Sequence, residues 1–155
     1  MSTTEALAAI NKTITVDATP ETAFETFTRQ MGSWWPIRTH TIFEDRLQEI
    51  VFDERVGGRV YERTAEGEEA DWADVLEWEP NSRFVLRWRV NPERGPTEVE
   101  VRFTPEGDGT RVDLEHRGWD KIGDEAGRAG YDPGWDYVLG HFLNALQSGR
   151  HSTSG

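Results

Sequence analysis

Hydrophobic and polar residues alternate along most of this chain, and the spacing becomes helical towards its C-terminal end. Seven runs with a period of two predict β-strands, over residues 10–16, 41–52, 58–64, 72–79, 84–90, 98–104 and 110–118. Turns rich in Gly, Pro, Asn and Asp separate most of these runs. Short connections join antiparallel neighbours, so the pattern predicts one antiparallel sheet.

The last part of the chain predicts a long amphipathic helix. Asp132 is a suitable N-cap, Pro133 suits the first turn, and Gly149 suits the end. Apolar residues recur every three or four positions on one helical face, and they are Trp135, Val138, Leu139, Phe142, Leu143 and Leu146.

A shorter helical pattern follows the first predicted strand. Thr19 is a suitable N-cap with Pro20 at the first position, and Gly32-Ser33 interrupts the pattern, which predicts two short helices. The apolar residues that keep the spacing are Ala23, Phe24, Phe27 and Met31. The predicted order is one strand, two short helices, six strands and one long helix, which is an α+β arrangement with the helices on one side of the sheet.

The length of 155 residues predicts a single domain that spans the chain, 1–155, and buries roughly 70% of its unfolded surface. We expect an ordered core over residues 10–148 and a frayed tail over residues 150–155. The stretch 120–131, rich in glycine and charge, is predicted to be a mobile loop or a loose helical turn.

Composition excludes several classes of function. The chain has no cysteine, so disulfides, thiolate metal sites and cysteine nucleophiles are excluded. The net charge of −12 argues against binding to nucleic acid or to anionic membrane surfaces. The first ten residues lack the features of a signal peptide, and no run approaches the ~18 apolar residues of a membrane span. We therefore expect a soluble cytoplasmic protein.

Metal and cofactor motifs are also missing from the sequence. The four histidines, His40, His116, His141 and His151, have no zinc-ligand spacing, and the aspartates form no EF-hand loop. Neither a nucleophile elbow nor a P-loop nor a dinucleotide fingerprint occurs. We expect no metal ion and no cofactor.

Several short phrases, in this order and spacing, resemble the START-like (SRPBCC) superfamily. The likeness runs from about Ile10 to Leu146, and it is strongest to the branch of homologues of the activator of the heat-shock chaperone ATPase. Within that group the tryptophan phrases are similar to the bacterial calicheamicin-resistance protein. The phrases are Thr19-Pro20, Trp34-Trp35-Pro36, Gly57-Gly58-Arg59, Trp78-Glu79-Pro80, Phe103-Thr104-Pro105, Glu115-His116 and Gly134-Trp135.

The resemblance implies a helix-grip fold, in which a curved seven-stranded antiparallel sheet wraps around a long C-terminal helix. A cavity between sheet and helix commonly holds a hydrophobic ligand in that superfamily. Its functions include lipid or polyketide binding, polyketide cyclisation, chaperone stimulation and antibiotic sequestration, so it defines the fold better than the chemistry. The chaperone activator carries a further N-terminal domain, which makes that role less expected for this chain.

Candidate ligand-binding residues come from the positions that the strand and helix periods direct towards such a cavity. Trp35 either fills the core or lies at the pocket mouth, and Tyr61 either hydrogen-bonds an oxygenated ligand or belongs to a solvated face with Arg59. The aromatic residues of the set supply apolar surface and the histidine one polar group, although all of them would also suit an ordinary core. The set is Trp35, Tyr61, Trp88, Val101, His116, Trp135, Leu139 and Phe142.

Three functions remain open at this point. The first is binding of a small hydrophobic or polyketide-like molecule for sequestration, transport or resistance, and the sequence favours it. The second is a cyclase or dehydratase in which His116, the one catalytic candidate, transfers protons. The third is a module that stimulates a chaperone ATPase. The chain is expected to be a monomer or a homodimer.

Overall fold

The computed structural model describes residues 8–36, 42–90 and 96–154, with side chains up to residue 146. These residues form seven strands and four α-helices in the predicted order, with one additional short helix before the last one, which confirms the α+β helix-grip fold. The elements are β1 (Ile10–Val16), α1 (Pro20–Phe27), α2 (Met31–Trp34), a 3-10 turn (Glu44–Arg46), β2 (Leu47–Phe52), β3 (Arg59–Thr64), β4 (Glu69–Glu79), β5 (Arg83–Trp88), β6 (Thr97–Glu106), β7 (Gly109–Arg117), α3 (Trp119–Ile122) and α4 (Glu125–Ser154).

All seven strands form one antiparallel sheet in the order β1-β7-β6-β5-β4-β3-β2. Irregular register occurs at three places, between Leu47 and Glu49, between Val60 and Tyr61, and between Val75 and Glu77. Bulges of this kind bend a strand and increase its twist. The sheet is accordingly curled, and its concave side faces the helices.

Helix α1 begins where the sequence predicted. The hydroxyl of Thr19 accepts a hydrogen bond from the backbone N–H of Thr22 at 3.2 Å, and Pro20 occupies the first turn. Phe24 and Phe27 on its inner face are buried against the sheet. Helix α2 follows and places the two adjacent tryptophans that the sequence singled out inside the concave side.

The long C-terminal helix differs from its predicted bounds. It begins at Glu125 and extends to Ser154, so Pro133 lies inside it and Gly149 does not end it. The N-terminal start is stabilised by Asp124, whose carboxylate accepts from the N–H of Gly127 at 3.0 Å. A proline inside a helix removes one backbone hydrogen bond. The tertiary contacts of the helix compensate for this loss here.

Most of the stretch 120–131 is therefore helical, which agrees with the helical alternative of the prediction and not with the loop. Helix α3 lies between Gly118 and Gly123, which both adopt left-handed backbone conformations. Lys12 of β1 binds the carboxylates of Asp132 and Asp136 and so attaches α4 to the edge strand. The mobility expected for residues 150–155 stays a prediction.

Strand β2 is shorter than predicted and begins at Leu47. The residues before it form a 3-10 turn in which Glu44 has a positive φ of 51°, a conformation that breaks the alternation of a strand. The beginning of the predicted strand, Thr41, lies outside the described residues.

The convex face of the sheet is covered by ion pairs. Glu100, nearly buried, binds Arg83, Arg102 and Arg117. Burial alone would raise the pKa of Glu100, but the hydrogen bonds from the three guanidinium groups outweigh it and lower that pKa to about 2. The apolar interior, and any ligand site that it contains, lies on the opposite, concave side.

Candidate functional site: a tryptophan-lined pocket

One part of the concave interior is filled by phenylalanine side chains. The rings of Phe24, Phe27 and Phe103 pack edge to face, with centroids 5.2 Å apart for Phe24–Phe103 and 6.0 Å apart for Phe27–Phe103. Phe142 of α4 packs on Phe27 at 5.0 Å, and Phe84 completes what we call the phenylalanine cluster. These contacts leave this part of the interior densely packed.

Four indoles occupy the adjacent part of the concave side, and we call them the tryptophan quartet. Trp35 packs on Trp72 with centroids 4.8 Å apart, Trp72 on Trp88 at 6.0 Å, Trp88 on Trp135 at 5.6 Å, and Trp135 again on Trp35 at 6.2 Å. The four side chains therefore form a closed circle. All four line a pocket of about 370 Å³.

One stripe of the helix wall of this pocket carries no side chains, although Tyr131, Trp135 and Val138 of α4 also line the pocket. Gly127, Gly130 and Gly134 of α4 line it, and their spacing of three and four residues puts them on one side of the helix, which we call the glycine face. A Cβ added to Gly130 would meet no atom within 4 Å. Each glycine inside a helix lowers the stability of that helix by about 1 kcal/mol relative to alanine. The glycine face therefore destabilises α4, and it leaves space beside the indoles.

The described residues that line the pocket carry no charge. Ile42 and Val90 complete it from the sheet side, Ala126 and Val138 from the helix, and Tyr131 supplies the one hydroxyl among the lining residues. An apolar lining with few polar groups is typical of small-molecule sites.

Three of the quartet's indole N–H groups donate to protein acceptors, of which Tyr131 lines the pocket and Glu62 and His116 do not. Trp72 donates to the carboxylate of Glu62 at 2.6 Å, Trp88 to the hydroxyl of Tyr131 at 2.9 Å, and Trp135 to a ring nitrogen of His116 at 3.0 Å. An indole has no other donor. These three residues therefore present ring surface, rather than hydrogen-bond donors, to anything in the pocket.

His116 lies directly behind this wall, fully buried. Its Nδ1 accepts from Trp135, so Nδ1 carries no proton, and the neutral ring then carries its proton on Nε2, which lies 2.6 Å from the hydroxyl of Thr97. Burial lowers the pKa of His116 to about 3. The ring is therefore neutral at pH 7, with both nitrogens hydrogen-bonded.

Aromatic rings enclose His116 as well. Its centroid is 4.4 Å from that of Trp119 and 4.9 Å from that of Tyr131, and the indole N–H of Trp119 donates to its backbone carbonyl at 3.0 Å. His116 is not among the residues that line the pocket. It supports two of them, Trp135 and Tyr131, from behind.

Glu62 is a second buried polar residue of the site. The alternation on β3 left open which face is inward, and the structure places Val60 and Glu62 inward. The carboxylate of Glu62 accepts from Trp72 and from the backbone N–H groups of Ile42 at 2.5 Å and Phe43 at 2.8 Å. Sequence reasoning assigned it no role, because a glutamate in an alternating strand usually faces solvent.

The structure places the predicted binding residues in four different surroundings. Trp35, Trp88 and Trp135 line the pocket. Val101, Leu139 and Phe142 are buried in the hydrophobic core and do not line it. His116 lies one layer behind, and Tyr61 is directed to the other face of β3, where the guanidinium of Arg59 lies 3.9 Å from its ring centroid.

Sequence reasoning missed the other lining residues, above all Trp72, Tyr131 and the glycine face. The signal was present in the spacing of Gly127, Gly130 and Gly134, which is helical, but Pro133 suggested a helix start after the first two of them. Trp72 could have been found from its alternation with Ala73 on β4, had the inward face of that strand been known.

The described part of the chain contains no group of three or more His, Asp or Glu side chains that could hold a metal ion. None of its helices is both long and apolar enough to cross a membrane. His40 lies outside the described residues, as does the side chain of His151.

Comparison with known proteins agrees with this architecture. The model of the family described as activator of Hsp90 ATPase homolog 1-like protein matches residues 17–147. The chain belongs to this family. The search of curated proteins found no match.

Three solved structures illustrate the relationship. Txn09, an anthrahydroquino-gamma-pyrone synthase, is 30% identical, with 89% of this chain and 96% of that one aligned and a TM-score of 0.56. The Aha1 dimer from Colwellia psychrerythraea is 22% identical over 90% and 96% of the two chains, with a TM-score of 0.64. CalU16 from Micromonospora echinospora is 22% identical over 87% and 71%, with a TM-score of 0.59. At 22% identity, the latter two likenesses concern the fold.

Proposed function

We propose that this protein binds a flat, mostly apolar aromatic molecule of polyketide type in the tryptophan-lined pocket. The observation that carries the proposal is the composition of the pocket walls, in which the circle of four indoles lies beside the glycine face of α4, the helix that also supplies Trp135. Flat ring surfaces beside a stripe of helix that carries no side chains favour a flat guest.

The chemistry of the walls supports the same class of ligand. An uncharged lining gives no partner for an ionic group, and burying an unpaired charge there would be costly. Each 100 Å² of apolar surface that the ligand buries contributes about 2.5 kcal/mol, before the cost of ordering. Stacking on indole rings adds a preference for aromatic rings over aliphatic chains of equal area.

The size of the pocket and one relative also support this class. About 370 Å³ lies at the lower end of the range for small-molecule sites, roughly 300–1,000 Å³. Txn09, the relative at 30% identity, is named for the synthesis of a fused aromatic pyrone. The function we propose here is binding, for sequestration, transport or resistance.

Titration with a hydroxyanthraquinone tests the proposal, with tryptophan fluorescence as the readout. The wild-type signal should change saturably. Gly130→Leu should raise the dissociation constant at least about tenfold, because the new side chain enters open space beside the indoles.

Gly140→Leu is the matched control, since Gly140 lies on the same helix, also has open space at its Cβ and does not line the pocket. It should bind the anthraquinone like the wild type. An absence of saturable response in the wild type would refute the proposed function. Equal affinities of the two leucine variants would place any binding outside this pocket.

Proton transfer by His116 stays a prediction for the enzyme alternative. A neutral ring with both nitrogens bonded, behind Trp135, must break a hydrogen bond before it can act as a base. The chaperone role likewise stays a prediction, which the ATPase rate of the partner chaperone would test.

A further inference from the structure

The buried carboxylate of Glu62 connects two parts of the pocket wall that are far apart in sequence. One oxygen accepts from the indole N–H of Trp72 and from the backbone N–H of Ile42, and the other accepts from the backbone N–H of Phe43. Trp72 and Ile42 both line the pocket. Glu62 itself is fully buried and lies behind them.

The segment that Glu62 holds lies at the outer rim of the pocket. Ile42 is 43% exposed although it lines the cavity, so one side of this residue faces solvent. The chain then passes through the 3-10 turn Glu44–Arg46 before it joins the sheet at Leu47. The backbone N–H groups of Ile42 and Phe43 attach this rim to the interior through part-buried hydrogen bonds to Glu62.

Three hydrogen-bond donors converge on the side chain of Glu62, and this arrangement requires a group that accepts hydrogen bonds and donates none. An ionised carboxylate has acceptor sites for all three, whereas a glutamine amide replaces one oxygen by an NH₂ group. In either orientation that NH₂ would face at least one of the three N–H groups. Glu62→Gln therefore loses at least one hydrogen bond with almost no change of volume.

We propose that Glu62 is the positioning residue that holds the Ile42–Phe43 backbone against Trp72, and that release of these hydrogen bonds limits exchange of the bound molecule. The second part rests on the proposed function, and the first part does not. Glu62 contacts no ligand in this scheme and acts through the two residues of the wall.

The experiment compares the wild type with Glu62→Gln by amide hydrogen exchange and by ¹⁵N NMR. Exchange at the amides of Ile42 and Phe43 should accelerate about tenfold or more, because a hydrogen bond to a charged group contributes at least that factor. The indole N–H resonance of Trp72 should move upfield, since its acceptor loses the negative charge. Dissociation of the hydroxyanthraquinone, followed by stopped flow, should accelerate by a similar factor.

Glu100→Gln is the matched control. Glu100 is also a nearly buried glutamate of the sheet, but its partners are arginines on the convex face. It should leave the amides of Ile42 and Phe43, the Trp72 resonance and the dissociation rate unchanged. Acceleration in both variants would show general destabilisation and would overturn the assignment of Glu62.

Two further results separate this inference from the proposed function. Unchanged exchange at Ile42 and Phe43 in Glu62→Gln overturns the positioning role, even if the anthraquinone binds. If the amides of Ile42 and Phe43 exchange faster but the hydroxyanthraquinone dissociates at the wild-type rate, the positioning role of Glu62 is supported. The proposal that these hydrogen bonds limit exchange of the bound molecule is then overturned. If Glu62→Gln does not fold, Glu62→Asp is the second variant. Its side chain is one methylene shorter, so the carboxylate is drawn back from the N–H groups of Ile42 and Phe43, whose exchange should accelerate in the same way.

Discussion

The two aromatic groups on the concave side of the sheet differ in what α4 places against them. The phenylalanine cluster receives Phe142, whose ring packs at 5.0 Å from Phe27 and 5.2 Å from Trp34. The tryptophan quartet receives Trp135 from α4, together with the glycine face beside it, and a pocket remains there. The same sheet and the same helix thus produce a packed core at one place and a cavity at the other.

The groups also differ in how their side chains are fixed. Phenylalanine rings are held by packing alone, so a gap beside them would leave them free to move. Three indoles of the quartet are additionally hydrogen-bonded, to Glu62 and His116 behind the wall and to Tyr131 within it. We infer that these buried acceptors keep the pocket walls in place where packing from the front is missing.

The largest expected effect comes from truncation in the packed group. Phe142→Ala should lower the free energy of unfolding by about 3–5 kcal/mol, because it leaves a cavity that the surrounding rings cannot fill. Val138→Ala, one helical turn earlier and facing the pocket, should cost clearly less, since part of its surface has no packing partner to lose. Urea denaturation of both variants measures the difference, and equal losses would contradict the comparison.

A medium effect is expected from pH, through His116. Its pKa is about 6.5 in the unfolded chain and about 3 when folded, so its contribution to stability is complete above pH 6.5 and is lost as the pH falls towards 3. From pH 6.5 to about pH 5 the free energy of unfolding should fall by about 1.4 kcal/mol per pH unit, before the carboxylates titrate.

Denaturation at several pH values, in the wild type and in His116→Gln, checks this prediction. Glutamine can accept from Trp135 and donate to Thr97 without titrating, so the slope in this range should disappear. His141→Gln should retain it. A variant at position 116 with the wild-type slope would show that another group is responsible.

The smallest expected effect is a gain in stability at the glycine face. Gly130→Ala should raise the free energy of unfolding by up to about 1 kcal/mol, because alanine is the better helix former and its Cβ meets no atom within 4 Å. Gly140→Ala should give a similar gain outside the pocket. A loss of stability in Gly130→Ala would mean that close backbone packing, and not open space, accounts for this glycine.

Much of the fold follows from local regularities of the sequence. Alternation predicted the seven strands, and the Thr19 cap with Pro20 predicted the start of α1. The spacing from Trp135 to Leu146 predicted the buried face of the last helix. These features depend on neighbours within a few positions, so a single sequence is enough to find them. Pro133 misled the prediction because tertiary contacts stabilise a helix on both sides of it.

The composition of the candidate site was decided by tertiary structure. Trp35, Trp88 and Trp135 could be selected as aromatic residues with an inward direction, but that they meet Trp72 around one pocket depends on the curl of the sheet. The same holds for Glu62, whose three donors come from two segments that are far apart in sequence. The sequence determined which faces of the strands and helices are apolar, and long-range packing determined where those faces leave space. Whether the interior is filled depends on residues that come into contact only in the folded chain.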